Sequence, residues 1–126
     1  MVIGVGTDLI KIDRLVASLA KRGDKFARRI LTESEFAVFR SNATPSRFLA
    51  KRFAAKEAAS KALGTGIGQG VSWQHIAVVA GEFGAPLLEF SGRAAEVAKR
   101  RGVVSSHISI SDEKDYAIAF VVLSGD

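Results

Sequence analysis

The sequence predicts an α+β fold in which helices pack on a mainly antiparallel sheet, and three observations support it. Apolar residues recur at helical spacing through much of residues 12–63, whereas four short β-type runs follow residue 75. Two short segments, 81–84 and 112–115, join consecutive runs in the way that hairpin turns do. Helices that cluster early and strands that cluster late are typical of α+β domains.

The first predicted element is a strand over residues 2–10, because its side chains alternate between two faces. One face is apolar, and the other is a glycine floor that ends in a carboxylate. The two faces consist of Ile3, Val5 and Leu9 and of Gly4, Gly6 and Asp8. Glycine weakens a strand, so this floor indicates either that something approaches the backbone closely or that the strand bends.

Helices follow, and their ends are marked by capping residues. Residues 12–22 have helical apolar spacing and end at Gly23, and a short helix follows over residues 25–30. The capping-box pattern Thr32–Glu35 opens a third helix that runs through Phe39. The longest helix is predicted over residues 46–63, with many alanines that favour close packing.

The second half of the chain changes to β periodicity. Residues 76–80 and 87–90 are predicted as a hairpin, and residues 104–111 and 116–123 as two further strands. A short amphipathic helix over residues 91–101 separates these pairs. We find no repeat and no interdomain linker, so residues 1–126 are predicted to form a single domain.

Composition narrows the possible function classes. Apolar residues make up 48% of the 126 residues, as in a globular protein, and the absence of cysteine excludes disulfides, thiolate nucleophiles and zinc–thiolate sites. The N-terminus lacks the basic start and cleavage site of a signal peptide, and no apolar run approaches membrane-spanning length. We therefore expect a cytoplasmic protein without a membrane partner.

Charge is unevenly distributed along the chain. Residues 1–61 contain 13 Lys and Arg against 6 Asp and Glu, whereas residues 62–126 contain 5 against 7. A basic first half favours an anionic partner, such as nucleic acid, a phosphate-bearing small molecule or an acidic protein. On charge alone, an ordinary solvated surface is favoured over such a partner.

The main candidate site combines two carboxylates, Asp8 and Glu57, with Lys61 one helical turn beyond Glu57. Magnesium usually takes one or two protein carboxylates and completes its shell with waters and substrate phosphates, so this set suits a phosphate-bound Mg²⁺ ion. The alternative is an ordinary i, i+4 surface ion pair between Glu57 and Lys61, worth roughly 0.2–0.5 kcal/mol.

Other motifs are less informative. The glycine-rich loop 64–70 lacks the lysine and hydroxyl residue of a P-loop and follows a helix instead of a strand, so the common nucleotide-binding motifs do not apply. His75 and His107 do not have metal-ligand spacing. His107 lies on a strand whose alternate residues are polar, so this face is expected to meet water, a ligand or another subunit.

Three motifs together resemble holo-acyl-carrier-protein synthases, the short type of 4′-phosphopantetheinyl transferase. They are Gly6-Thr-Asp8, the helix segment Arg52-Phe-Ala-Ala-Lys-Glu57-Ala-Ala-Ser-Lys61, and Gly64-Thr-Gly-Ile-Gly68. The resemblance covers the whole chain, including Arg29–Glu35 and the segments around His107 and Tyr116.

The resemblance implies that the chain transfers the 4′-phosphopantetheine arm of coenzyme A to a serine of apo-acyl carrier protein, in support of fatty acid biosynthesis. It also implies that Asp8 and Glu57 hold Mg²⁺ against the pyrophosphate, with either Glu57 or a metal-bound water as the base. The coenzyme A contacts that it implies are Arg47, Arg52, Lys61, Gly64 and His107.

The resemblance further implies partners. Arg14 is expected to contact the acidic carrier protein, and Lys21, Arg22 and Lys25 extend its positive surface. The family forms a homotrimer with active sites between subunits, so His107 is expected to reach coenzyme A bound mainly by a neighbour. The apolar faces of residues 116–123, including Ala119, are expected to form the trimer core.

Two other functions compete with the transferase. A small nucleic-acid-binding protein would account for the sequence pI near 9.9. However, the chain has one Trp and one Tyr and no aromatic-interleaved basic motif, so we expect no nucleic-acid partner. The second competitor is a purely structural trimer in which Glu57 and Lys61 form an ordinary ion pair.

Overall fold

A computed structural model describes residues 1–126 and confirms the predicted α+β architecture. The first half of the chain contains one strand and four helices, and the second half contains four strands and one helix. In chain order they are β1 Val2–Lys11, α1 Ile12–Arg22, α2 Asp24–Ile30, α3 Glu33–Ser41, α4 Pro45–Leu63, β2 Ile76–Ala80, β3 Pro86–Phe90, α5 Gly92–Arg100, β4 Ser105–Asp112 and β5 Tyr116–Ser124. Every predicted helix and strand is present.

The strands form two antiparallel sheets. The larger has the order β1-β5-β4, with β5 in the centre, and the smaller is the β2–β3 hairpin. None of the helices combines the length and the apolar character needed to cross a bilayer.

Helix α4 packs directly on β1 and β5, and this contact explains the glycine floor. A Cβ atom added to Gly4 would lie 1.9 Å from the carbonyl oxygen of Ala62, and one added to Gly6 would lie 1.9 Å from that of Ala58. The helix faces the strand with alanines that are almost fully buried. The element that approaches the strand closely is therefore α4, and only glycine permits this distance.

The two faces of the larger sheet have opposite roles in the subunit. Ala117, Ala119, Val121 and Leu123 are fully buried against the helical layer. The opposite face of β5 and β1 exposes large apolar side chains: Val5, Leu9, Tyr116, Ile118 and Phe120. The expectation that Ala119 belongs to an intersubunit surface is therefore wrong, because Ala119 is part of the core of its own chain.

A buried ion pair joins α3 to α4. The Lys56 ammonium lies 2.6 Å from the Glu35 carboxylate, and both side chains are almost inaccessible to solvent. Glu35 also accepts hydrogen bonds from the backbone N–H of Thr32, as the predicted capping box requires, and from that of Val78 in β2. Burial lowers the pKa of Lys56, while the charge of Glu35 opposes this effect.

Candidate active site

Asp8, Glu57 and Lys61 meet where α4 crosses β1. Asp8 lies on the glycine side of β1, opposite Ala119 in the register, and therefore faces the helix. The Lys61 ammonium lies 3.2 Å from Asp8 Oδ1 and donates to the backbone carbonyl of Thr7 at 3.0 Å. Its ion-pair partner is thus Asp8 instead of Glu57, which contradicts the alternative of an ordinary i, i+4 pair.

Glu57 has a different partner. Its Oε2 atom accepts a hydrogen bond of 3.0 Å from the indole N–H of Trp73, in the short helical turn Trp73–His75. Burial raises the pKa of Glu57; the Trp73 hydrogen bond lowers it, the negative charge of Asp8 raises it and Lys61 lowers it. The effect of the Asp8 charge on the pKa of Glu57 indicates that the two carboxylates lie in the same region of the structure.

This pair of carboxylates suits a magnesium ion that keeps waters and substrate oxygens as ligands, and does not suit a metal enclosed entirely by protein ligands. No group of three or more potential ligand side chains is present, so the protein offers two carboxylates. Lys61 donates to Asp8 Oδ1 and Trp73 donates to Glu57 Oε2. The second oxygen of each carboxylate, Asp8 Oδ2 and Glu57 Oε1, accepts no hydrogen bond from the protein. Mg²⁺ prefers this donor set, one or two carboxylates plus waters and substrate phosphates.

The two predicted arginines of α4 lie nearer its N-terminus. Arg47 donates to Asp112 Oδ2 and to the carbonyls of Glu113 and Lys114, and so clamps the turn between β4 and β5. At 1.5 Å per residue it lies about 15 Å along the helix from Glu57. The structure therefore does not bring Arg47 to the carboxylates of the same chain.

Arg52 is partly buried on the same helix. Its guanidinium carbon lies 4.6 Å from the ring centroid of Phe48, and its Nε atom is buried without a hydrogen-bond partner. Burial lowers the pKa of this guanidinium, while the charge of Glu35 opposes the effect. Arg52 is therefore anchored by packing more than by ion pairing.

Gly64 lies close to Lys61, at the end of α4. It adopts a left-handed conformation with φ of 87°, and its N–H donates to the carbonyls of Ser60 and Lys61 in the last turn of the helix. The glycines of the following loop, Gly66, Gly68 and Gly70, also have positive φ. The loop thus begins about one helical turn beyond Lys61 and two turns beyond Glu57.

His107 lies on β4 opposite Val122, which in turn is opposite Val5. Cross-strand neighbours share a face, so the exposed His107 side chain projects from the sheet face opposite Asp8. The structure does not bring His107 into the site of its own chain.

The predicted carrier-protein surface is exposed and basic. Arg14, Lys21 and Arg22 on α1 and Lys25 on α2 are all exposed. Beside them, between α1, α2 and α4, lies a mostly apolar groove of about 430 Å³. Its lining consists of Ile10, Arg14, Leu15, Ala17, Ser18, Phe26, Phe53 and Trp73. Trp73 therefore contacts both this groove and Glu57.

Sequence reasoning missed Trp73 as a site residue. Its only sequence signal is that it is the single tryptophan of the chain, placed just after the glycine loop. No spacing rule connects it to Glu57, because the contact depends on how residues 65–72 return to α4.

Comparisons with known proteins identify the family of the chain. Residues 4–121 match the family model of the 4′-phosphopantetheinyl transferase superfamily. The chain is 55% identical over 123 residues to a holo-acyl-carrier-protein synthase of Shewanella sp. (strain MR-7), covering 97% of this chain and 96% of the relative. It is 53% identical over 122 residues to the enzyme of that name from Shewanella oneidensis, with the same coverage.

Solved structures give the same result. The crystal structure of holo-acyl-carrier-protein synthase from Neisseria meningitidis matches with a TM-score of 0.91 and 40% identity, covering 98% of this chain and 99% of the other. The structure from Bacillus anthracis, in complex with CoA (3′,5′-ADP), matches with a TM-score of 0.83 and 41% identity, covering 100% and 99%.

Proposed function

Because the chain belongs to the holo-acyl-carrier-protein synthases of the 4′-phosphopantetheinyl transferase superfamily, we propose that Asp8, Glu57 and Lys61 form its active centre. The reaction transfers the 4′-phosphopantetheine moiety of coenzyme A to a serine of apo-acyl carrier protein and releases adenosine 3′,5′-bisphosphate. The observation that carries the proposal is the meeting of both carboxylates with Lys61 at the crossing of α4 and β1. The product, holo-acyl carrier protein, serves fatty acid biosynthesis.

Asp8 and Glu57 are the proposed metal ligands, through the oxygens that accept no protein hydrogen bond. A magnesium ion bound there supplies positive charge to the pyrophosphate of coenzyme A as its β-phosphate is attacked. Lys61 adds a second positive charge on the same side, and its ammonium can exchange Asp8 for a phosphate oxygen.

The attacking serine must lose a proton. Glu57 is suited to accept it, because burial raises the pKa of its carboxyl group and so brings it closer to the working pH. A water held by the same carboxylates is the second candidate for the base. A Glu57→Gln variant assayed at saturating Mg²⁺ separates these candidates. A rate that still rises with pH supports the water, whereas a rate that no longer depends on pH supports Glu57, because an amide cannot accept the proton.

Coenzyme A binding is proposed to use two subunits. In one chain, Lys61 and Gly64 at the C-terminal end of α4 are proposed to contact the pyrophosphate, whereas Arg47 and Arg52, nearer the N-terminus of the helix, are proposed to contact the distant 3′-phosphate end. His107 projects from the opposite sheet face, so it can serve only the site of another copy.

We propose a homotrimer that closes through the exposed apolar sheet face. Val5 and Leu9 on β1 and Ile118 and Phe120 on β5 form a continuous apolar surface, since Leu9 pairs with Ile118 and Thr7 with Phe120 in the register. A closed ring of three makes each site equivalent and gives each a histidine from its neighbour.

The carrier protein is proposed to dock on the basic surface of α1 and α2. Arg14, Lys21, Arg22 and Lys25 present positive charge to an acidic helix, and the adjacent apolar groove accepts its nonpolar side chains. Trp73 lines this groove and bonds to Glu57, so docking there is proposed to bring the carrier serine towards the carboxylates.

The decisive experiment incubates the protein with coenzyme A, Mg²⁺ and an apo-acyl carrier protein, and follows the carrier by mass spectrometry. We expect a gain equal to the phosphopantetheine moiety that is abolished by a chelator and by Asp8→Ala or Glu57→Ala. The matched control is Asp13→Ala, which removes an exposed carboxylate of α1. Full activity of Glu57→Ala at unchanged Mg²⁺ would refute the shared-metal assignment.

A further inference from the structure

Trp73 is a polar aromatic residue at the edge of the carboxylate pair. Its ring packs against Phe53 with centroids 6.2 Å apart and planes inclined by 34°, and its indole N–H donates to Glu57 Oε2 at 3.0 Å. A phenylalanine would fill the same apolar space without donating a hydrogen bond. The indole nitrogen therefore makes a contact that core packing does not require.

The backbone of Trp73 is also held by a hydrogen bond from α4. Lys56, the residue immediately before Glu57, donates to the Trp73 carbonyl at 3.1 Å. The same ammonium is held by Glu35 at 2.6 Å, and Glu35 in turn receives the backbone N–H of Val78 at 2.8 Å. The turn that carries Trp73 is thus attached to α4 and to β2 by buried charged groups, so its side chain has little freedom to follow a moving Glu57.

These contacts bear on the geometry of Glu57. A glutamate side chain has several rotatable bonds, and a half-buried one beside another carboxylate is pushed away by like charge. A single donor on Oε2 restrains the position of that oxygen while leaving Oε1 free. Donors of this kind orient metal ligands in many proteins, and their loss typically costs about 10–100-fold in metal affinity or activity.

We propose that Trp73 is a positioning residue for Glu57: its indole N–H holds Oε2 so that Oε1 faces the position shared with Asp8. The proposal rests on the assignment of Asp8 and Glu57 as metal ligands. The buried pair of Lys56 and Glu35 supports the arrangement by fixing the backbone of the turn, so the positional accuracy of the site derives from the core of the domain.

The first test measures Mg²⁺ binding by titration calorimetry in the absence of coenzyme A and carrier protein. Trp73→Phe keeps the ring and removes the donor, and we expect the dissociation constant of Mg²⁺ to rise about tenfold or more. Phe53→Leu is the control, because it disturbs the same packing and leaves the hydrogen bond in place. Asp8→Ala is the reference for loss of a ligand.

Transfer kinetics give a second readout. In Trp73→Phe, the rate at limiting Mg²⁺ should fall, and excess Mg²⁺ should restore most of it, because the defect lies in metal affinity. A purely structural role would lower the thermal stability and the rate at every Mg²⁺ concentration. That result would overturn the proposal.

The hydrogen bond is testable without metal, because Trp73 is the only tryptophan and gives a single indole ¹H–¹⁵N signal. We expect this signal to shift and its solvent exchange to accelerate in Glu57→Ala, but not in Asp13→Ala. An unchanged signal in Glu57→Ala contradicts the contact.

The outcomes separate the two assignments. If Asp8→Ala weakens Mg²⁺ binding and Trp73→Phe does not, the positioning role is wrong and the metal assignment stands. If neither variant changes Mg²⁺ binding, the metal assignment fails and the positioning role fails with it.

Discussion

Replacing Gly6 by alanine tests the contact that builds the site. Gly6 lies two residues before Asp8 on β1, and the added methyl group would point at the backbone of α4. Ala58, whose carbonyl oxygen obstructs it, is the residue directly after Glu57. One added carbon atom therefore acts at the crossing where the strand presents one carboxylate and the helix presents the other.

The magnitude follows from the geometry. The new Cβ would lie 1.9 Å from the Ala58 oxygen, and real Cβ atoms do not approach other heavy atoms closer than 3.0 Å, so strand and helix must separate by about 1.1 Å. Because the obstruction is backbone, no rotamer change relieves it. Overpacking of this kind costs about 3 kcal/mol, the upper end of its usual range. For a domain of this size that cost lowers Tm by about 10 °C.

The separation should also weaken the site more than the fold. The Lys61–Asp8 contact of 3.2 Å spans this crossing, so a shift of this size breaks it and moves both carboxylates apart. Thermal unfolding and Mg²⁺ titration at 10 °C, where the variant remains folded, measure the two effects separately. We expect a loss of transfer activity of at least tenfold at that temperature.

Gly81→Ala is the matched control for the added methyl group. Gly81 has a φ of −94°, which alanine adopts freely, and its new Cβ would lie 2.8 Å from the exposed side chain of Leu87 and 3.2 Å from the carbonyl oxygen of Ala85, much farther from backbone than the 1.9 Å at Gly6. Movement of that side chain relieves the contact, so we expect Tm and activity close to those of the unchanged protein. If Gly6→Ala behaved like Gly81→Ala, the close approach of α4 to β1 would be wrong.

Four further predictions address other parts of the molecule. Lys56→Met should lower the free energy of unfolding by about 3–5 kcal/mol, because it leaves the Glu35 charge buried and unpaired, and denaturant unfolding should show part of this recovered when Glu35→Leu is added. Mg²⁺ affinity should decrease as the pH is lowered, and because the pKa of Glu57 is raised, this decrease should begin at a higher pH than it would for an ordinary carboxylate. The proton on Glu57 competes with the metal, and Mg²⁺ titrations at stepped pH would measure this effect. Arg14→Ala should raise KM for the carrier protein and leave KM for coenzyme A unchanged, and added salt should mimic this by screening charges beyond roughly 8 Å; a change in KM for coenzyme A alone would contradict the docking surface. Phe120→Glu should dissociate the proposed trimer in sedimentation experiments and remove activity, whereas a fully active monomer of the unchanged protein would contradict the shared site.

The order and bounds of the elements could be predicted because each has a local cause. Gly23 and Gly64 end helices α1 and α4, Thr32 and Glu35 open α3, and the alternation of β1 needs only the two-residue period of a strand. Local patterns do not indicate which face of a strand packs against a helix of the same chain. The apolar side of β1 is exposed in the subunit, and its glycine side is covered, because α4 takes the place that larger side chains would fill.

The same limit applied to the site. The spacing of Glu57 and Lys61 is compatible with an ion pair along the helix, and only the position of β1 decides that Lys61 bonds to Asp8 instead. Small residues permit close approach, which favours an intersubunit position for Ala119, yet Ala119 is buried against α4 of the same chain. Family resemblance supplied the roles of these residues, whereas their contacts depend on tertiary packing.

Helix α4 connects stability to catalysis through two consecutive residues. Side chains at neighbouring positions of a helix point about 100° apart, so Lys56 enters the core while Glu57 faces the partly open site. The buried pair of Lys56 with Glu35 fixes the rotation of the helix about its axis, since any rotation would separate the pair and leave a buried charge without its partner. That rotation sets the direction of Glu57, and the glycine contacts of β1 set its distance from Asp8. A costly buried charge and two unusually close backbone contacts thus lie within a few residues of the carboxylates, and the proposed shared ion would require the accurate placement that they provide.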